Sequence, residues 1–162
     1  MRLILCDNEN LKLKKHPEDI VIIPSKDLKP CIGCFYCWTK NPTKCIHGDE
    51  GNIQELISKS DELIIISKNT YGGLSIPIKR ALDRSISFIL PYFEKRNGLT
   101  RHKKRYGKEL KISGYIYNVN TNEEKETLTN IFNSMTENFG GKLNNLDFFN
   151  DEKELENENI NN

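Results

Sequence analysis

The chain has 162 residues, with 24 basic against 23 acidic side chains and a formal charge of +1. That length suits one domain with a real core, and the balanced charge argues against a dedicated nucleic-acid binder. No stretch approaches the roughly 18 apolar residues of a membrane-crossing helix. The run from Met1 to Cys6 gives way at once to Asp7 and is too short for a signal-peptide core, so the expectation is a soluble cytoplasmic protein.

Arg2 to Cys6 is a short apolar run that reads as a buried strand. Asp7 to Pro17 is polar, with only Leu11 and Leu13 as anchors for at most a turn or two of helix. Asp19 to Pro24 is a second apolar, β-branched run, of the kind covered on both faces. A cysteine-bearing loop follows, Pro30 to Cys45. Asn52 to Ser60 carries Ile53, Leu56 and Ile57 at helical spacing, with Asp49 and Glu50 ahead of it where negative charge suits a helix start. Leu63 to Ser67 is the clearest buried strand.

Asn69 to Ser75 is a Gly-containing loop, and Pro77 suits the first turn of the next helix. Ile78, Ala81, Leu82, Ile86, Ile89 and Leu90 mark that helix's apolar face, and Pro91 ends or kinks it. Glu94 to Lys108 reads as basic and irregular. Its cations (Lys95, Arg96, Arg101, Lys103, Lys104, Arg105, with His102) bind a phosphate or an acidic partner, or nucleic acid with only Tyr106 as aromatic support, or form a solvated loop that balances the acidic tail. Leu110 to Tyr117 and Leu143 to Phe149 are strands. Between them Leu128, Ile131, Phe132, Met135 and Phe139 form a helix that Gly140-Gly141 stops. The expected domain is 1–150, and 151–162 reads as an acidic, frayed tail.

Strands alternating with helices, each strand nearly continuous in apolar residues, indicate a parallel α/β sheet. Five strands fit the flavodoxin-like order 2-1-3-4-5, with a shortened or missing first helix. In such sheets ligands sit beyond the carboxyl ends of the strands, at the switch point.

Four of the five cysteines fall within fifteen residues, as Cys31-x2-Cys34-x2-Cys37-x7-Cys45. A tight triple with a fourth ligand further on resembles the runs that hold a [4Fe–4S] cluster. Zinc is a second reading, and reduced thiols or a reactive dithiol a third. Cys6, alone at a strand end, reads as a small core residue.

The cysteine loop, the segment Asn69-Thr70-Tyr71-Gly72-Gly73 and the run from Pro77 to Arg84 together resemble the flavodoxin-like NAD(P)H-dependent FMN reductases, and among them the iron–sulfur flavoproteins. The likeness is strongest from Pro30 to about Arg105. It implies FMN as cofactor, with the isoalloxazine ring held by Asn69, Thr70, Tyr71, Gly72 and Gly73 and flanked by the loop at Asn118. It implies a [4Fe–4S] cluster on Cys31, Cys34, Cys37 and Cys45, NAD(P)H or a redox protein as partner, and a homo-oligomer. Lys79, Asp83 and Arg84 match the following helix, with an Asp–Arg pairing or a subunit contact as their expected role. Such relatives bind the FMN phosphate on a Ser- and Gly-bearing loop after the first strand. Residues 7–16 here contain no Gly, Ser or Thr, and Asp7 and Glu9 oppose a phosphate. Two functions follow: an FMN-dependent electron-transfer protein or oxidoreductase, and a non-catalytic metal- or redox-sensing module that has lost FMN.

Overall fold

The computed structural model describes residues 1–48 and 50–160; Asp49 and the side chain of Glu50, placed by the sequence reading at a helix start, lie outside it. In chain order the elements are β1 (Arg2–Cys6), β2 (Ile20–Ile22), α1 (Tyr36–Thr39), α2 (Ile53–Lys59), β3 (Glu62–Lys68), α3 (Ile76–Arg84), β4 (Ile89–Arg96), β5 (Leu99–Lys104), β6 (Lys111–Tyr117), α4 (Asn122–Phe139), β7 (Lys142–Phe148) and α5 (Glu152–Asn157). Among the described residues no helix is long and apolar enough to cross a membrane.

The five apolar runs build one parallel sheet in the order β2-β1-β3-β6-β7, which is the flavodoxin-like 2-1-3-4-5 order once the hairpin β4–β5 is set aside. Leu3 pairs with Ile20 on one side and Leu63 on the other, Leu63 pairs with Ile112, and Ile112 with Leu143. Side chains alternate between the two faces of a strand. Leu3, Leu5, Leu63, Ile65, Ile112 and Ile116 therefore face one core, where Ile57, Ile78, Leu82, Leu128 and Phe132 of α2, α3 and α4 cover them. Ile4, Cys6, Ile64, Ile66, Tyr115 and Tyr117 face the other.

That second face explains the largest departure from the sequence reading. The helix between β1 and β2 is missing, as the sequence reading expected, and Leu11 and Leu13 only lean against this face; the departure is in what covers it. The chain's last described segment covers it instead. Residues 152–157, read as frayed tail, form α5, and Leu155 and Ile160 are each 1% exposed. Burying two such side chains stabilises by about 1.5–3 kcal/mol each, which offsets the ordering of a polar segment. Polar contacts fix the seam. The Arg2 guanidinium donates to both Asp19 carboxylate oxygens (2.9 and 2.6 Å) and to the Ile160 carbonyl (2.8 Å), and Lys14 Nζ donates to the Asn157 carbonyl.

A second departure lies after α3. The helix stops at Arg84, so Ile86, Ile89 and Leu90 do not share its face, and Pro91 sits inside β4. Residues 89–104 are an antiparallel hairpin, not an irregular loop. Its turn is Asn97-Gly98, both at positive φ (51° and 77°), as a two-residue hairpin turn requires. The three arginines of this segment are tied into the molecule. Arg96 donates to the Glu137 carbonyl (2.7 Å), Arg101 pairs with the Glu137 carboxylate (2.7 Å), and Arg105 donates to the Ser87 carbonyl (2.8 Å). Their counterpart is α4 and the turn before the hairpin, not the acidic tail.

Candidate functional site

The cysteine loop follows β2, and backbone geometry lets it fold tightly. Gly33, Phe35, Thr43 and Gly48 all take positive φ, and α1 is a single turn carrying Cys37 and Trp38. Trp38 anchors it: the indole N–H donates to the Ile89 carbonyl (3.0 Å), and the ring stacks on Phe35 with centroids 5.5 Å apart. His102 of the hairpin lies 5.2 Å from Trp38 on a tilted plane. Arg84 closes the loop from beneath, with guanidinium bonds to the carbonyls of Lys29 and Gly48, one at either end of it. Asp83 pairs with Lys79, so the expected Asp–Arg pairing does not form. The sequence reading gave Arg84 an Asp–Arg pairing or a subunit contact, on the match of this helix to the family it resembles. Only the fold shows that it braces the cysteines.

Cys31, Cys34, Cys37 and Cys45 all line one small cavity of about 80 Å³, walled by Ile32, Phe35, Ile46 and Ile86. Cys31 and Cys34 are exposed, Cys37 and Cys45 half-buried, and none of the four is joined in a disulfide. Burial pushes the Cys37 thiol above the ordinary cysteine range, against a hydrogen bond with Ser87 that lowers it. Among the described residues no three His, Cys, Asp or Glu side chains converge as one metal ion requires. A tetrahedral zinc with bonds of about 2.3 Å would draw its sulfurs to within about 3.8 Å of each other. Four thiols around one apolar hollow supply thiolate donors of the kind an iron–sulfur cluster takes. His47 also lines the cavity, and its buried Nε2 has no hydrogen-bond partner among the described residues.

The Asn69–Gly73 segment sits at the carboxyl end of β3 as a closed turn. Thr70 and Gly73 exchange backbone hydrogen bonds (2.9 and 3.0 Å), with Tyr71 (φ 52°) and Gly72 (φ 77°) between them. Positive φ at both central residues makes this a primed turn, which is what Gly72 is there to permit. Buried Asn69 is its brace. The side-chain oxygen accepts from the Gly72 N–H (2.9 Å), and the side-chain amide donates to the Asn118 carbonyl (3.1 Å). The structure thus brings Asn69–Gly73 together with the Asn118 loop. The N–H groups of Thr70, Gly72 and Gly73 are engaged within the turn. Tyr71 is fully exposed at its tip.

At the switch point, Asp7 occupies the space just past β1. One carboxylate oxygen accepts from the Lys68 N–H (2.8 Å), the other from the Tyr117 hydroxyl (2.9 Å). Burial first, then the Asp7 charge, push the Tyr117 phenol far above its usual range, so it stays protonated and donates. Asp7 thereby ties the carboxyl ends of β1, β3 and β6 together. Its sequence signal was a lone acid at a strand end, which periodicity does not interpret. Beside it opens a cleft of about 550 Å³ that reaches to Lys26, Ser75 and Arg80.

No protein-family model matches the chain. The chain is 35% identical over 68 residues to an iron–sulfur flavoprotein of Methanocaldococcus jannaschii, a match that takes in 41% of this chain and 34% of that protein. The chain therefore spans about a third of the length of that relative. Distant, partial homology to an iron–sulfur flavoprotein stands beside a parallel sheet of flavodoxin-like order.

Proposed function

We propose that the protein is a flavodoxin-like redox protein that carries a [4Fe–4S] cluster on Cys31, Cys34, Cys37 and Cys45 and FMN in the cleft at the carboxyl ends of β1, β3 and β6. The observation that carries this reading is the gathering of all four cysteines around one apolar cavity. The partial identity with an iron–sulfur flavoprotein supports it. When bound, such groups supply one-electron transfer and, at the flavin, exchange between one- and two-electron chemistry. The chain's own residues do the rest. Arg84 holds the ends of the cysteine loop, Trp38 fixes its helical turn against the hairpin, and Phe35 and Ile46 give the hollow apolar walls. Asn69 holds the turn that presents the Tyr71 ring. No side chain need act as acid or base. NAD(P)H or a second redox protein is the partner this reading takes, in a homo-oligomer, and its reaction class is that of an FMN reductase-like oxidoreductase.

One observation favours a second reading, a metal- or redox-sensing module without FMN. Asp7 stands where a phosphate loop would be, and the Gly72 and Gly73 N–H groups are spent within their own turn. The test is a UV–visible spectrum of protein purified without oxygen and supplied with FMN and iron. Flavin bands with a broad shoulder that dithionite bleaches establish both groups. The shoulder alone selects the second reading, and a featureless spectrum refutes the redox proposal.

A further inference from the structure

The cleft beside Asp7 carries an unexplained feature. Ser75 occupies the N-cap of α3, where a serine hydroxyl ordinarily accepts from the second or third N–H of the helix. Here it makes no such bond. The Ser75 N–H donates to Ser67 Oγ (2.9 Å) and its carbonyl accepts from the Lys79 N–H (2.9 Å). The hydroxyl alone is left over. Ser75 is only 8% exposed, and its Oγ is buried with no hydrogen-bond partner among the described residues. A buried hydroxyl with no partner is costly unless a ligand completes it.

The surroundings say which ligand. Ser75 lines the cleft together with Lys26, Lys68 and Arg80, and the first turn of α3 brings the positive end of a nine-residue helix. Arg80 is steadied by a bond from Nη1 to the Leu28 carbonyl (3.0 Å), so its charge stays at the cleft. The one opposing charge among the lining residues is Asp7. Its two oxygens are already engaged by Lys68 N–H and Tyr117 hydroxyl. Three cations, a helix start and a hydroxyl against one carboxylate leave a site for a dianion with several acceptor oxygens.

We propose that this cleft is a phosphate-monoester subsite, built by Ser75 and the first turn of α3 with Lys26, Lys68 and Arg80. It takes the place of the hydroxyl-rich loop that residues 7–16 lack. The phosphate has two possible sources, FMN or a free phosphate ester, and only the first rests on the flavin reading above.

Calorimetric titration of the full chain with inorganic phosphate, FMN and riboflavin separates these. FMN is expected to bind about tenfold or more tightly than riboflavin, the weight of one charge-assisted hydrogen bond. Ser75→Ala and Lys68→Gln are expected to erase that difference and to weaken inorganic phosphate about tenfold, leaving riboflavin unmoved. Asp7→Asn is expected to tighten phosphate, and far-UV circular dichroism confirms that each variant is folded. Phosphate binding that Ser75→Ala weakens, with no flavin bound at all, keeps the subsite, assigns it to a free ester and refutes FMN. Equal binding of FMN and riboflavin, indifferent to both variants, keeps the flavin and overturns the subsite. Phosphate binding indifferent to Ser75→Ala, or no binding of any probe, overturns it as well.

Discussion

Replacing Gly114 with alanine is expected to destabilise the protein, although the same exchange at an unstrained strand position usually helps. Gly114 lies in β6, paired with Ile65 and Leu146, and its backbone is not at positive φ. The unfolded chain would lose freedom, a gain of about 0.4–1 kcal/mol. A Cβ there would meet Phe132 Cε1 and Cζ at 2.5 Å and Leu146 Cδ1 at 2.7 Å. Ordinary carbon contacts lie near 3.5–4.0 Å, so neighbours must retreat by about 1 Å. Phe132 cannot do so freely, because it is fully buried on the face of α4 that packs against the sheet. Overpacking of this kind costs about 1–3 kcal/mol, which outweighs the chain-entropy gain. Urea unfolding measures the loss, and the melting temperature should fall by about 2–4 °C per kcal/mol. Phe132→Leu, harmful alone through the space it leaves, should recover part of the loss when combined with Gly114→Ala. Unchanged or greater stability in Gly114→Ala would refute the packing argument. So would strict additivity in the double variant.

Cys6 is buried, its thiol donates to the Asn8 carbonyl (3.3 Å), and burial pushes its pKa from an ordinary 9.0 to about 11. Near neutral pH its thiolate is about a hundredfold scarcer than an ordinary one, so alkylation of the native chain should show Cys6 as the slow thiol; five thiols reacting in one phase would contradict this. Burial raises the Asp19 carboxyl, but the Arg2 bonds outweigh it and hold the pKa below the usual range. Its contribution is therefore present above an unfolded value of about 3.9 and lost as pH falls through the lower folded value. Asp19→Asn should cost about 3 kcal/mol at neutral pH and flatten the acid limb of a stability–pH curve; an unchanged limb would assign acid unfolding elsewhere. Thr121 caps α4 in a reciprocal box with Glu124, so Thr121→Ala should cost about 1 kcal/mol by thermal denaturation, and a loss under a few tenths would deny the cap its role.

The sheet was legible because its central strands are buried on both faces and so read as unbroken apolar runs, as in Leu63–Ser67 and Arg2–Cys6. The hairpin was not, since β4 and β5 are open enough for their lysines and arginines to resemble a solvated loop. Asn97-Gly98 was the available signal, a hairpin dipeptide between two candidate strands. The segment after β7 escaped for a different reason. Two apolar residues, Leu155 and Ile160, promise no core until the missing helix after β1 is known to leave a face bare. At the site, the cysteine spacing marked four thiols as one set, and the resemblance marked Asn69–Gly73 as one loop; the fold puts the four thiols around one cavity and closes the loop into a turn. The brace from Arg84 and the leftover hydroxyl of Ser75 depend on bonds across the fold, which local spacing does not encode.

The seam between β1 and residues 152–160 also bears on how long the folded state lasts. Arg2 and Ile160 meet across a separation of 158 residues, while the opposite core is assembled largely from helices that follow their strands directly. Contacts this remote in sequence carry the greatest loop-closure cost and are expected to form late, after the transition state. Interactions absent from that barrier govern the rate of unfolding and leave folding nearly untouched. Trimming Leu155 or Ile160 should thus steepen neither arm of a chevron but lift its unfolding limb. A short acidic segment would then act as the latch on the protein's lifetime.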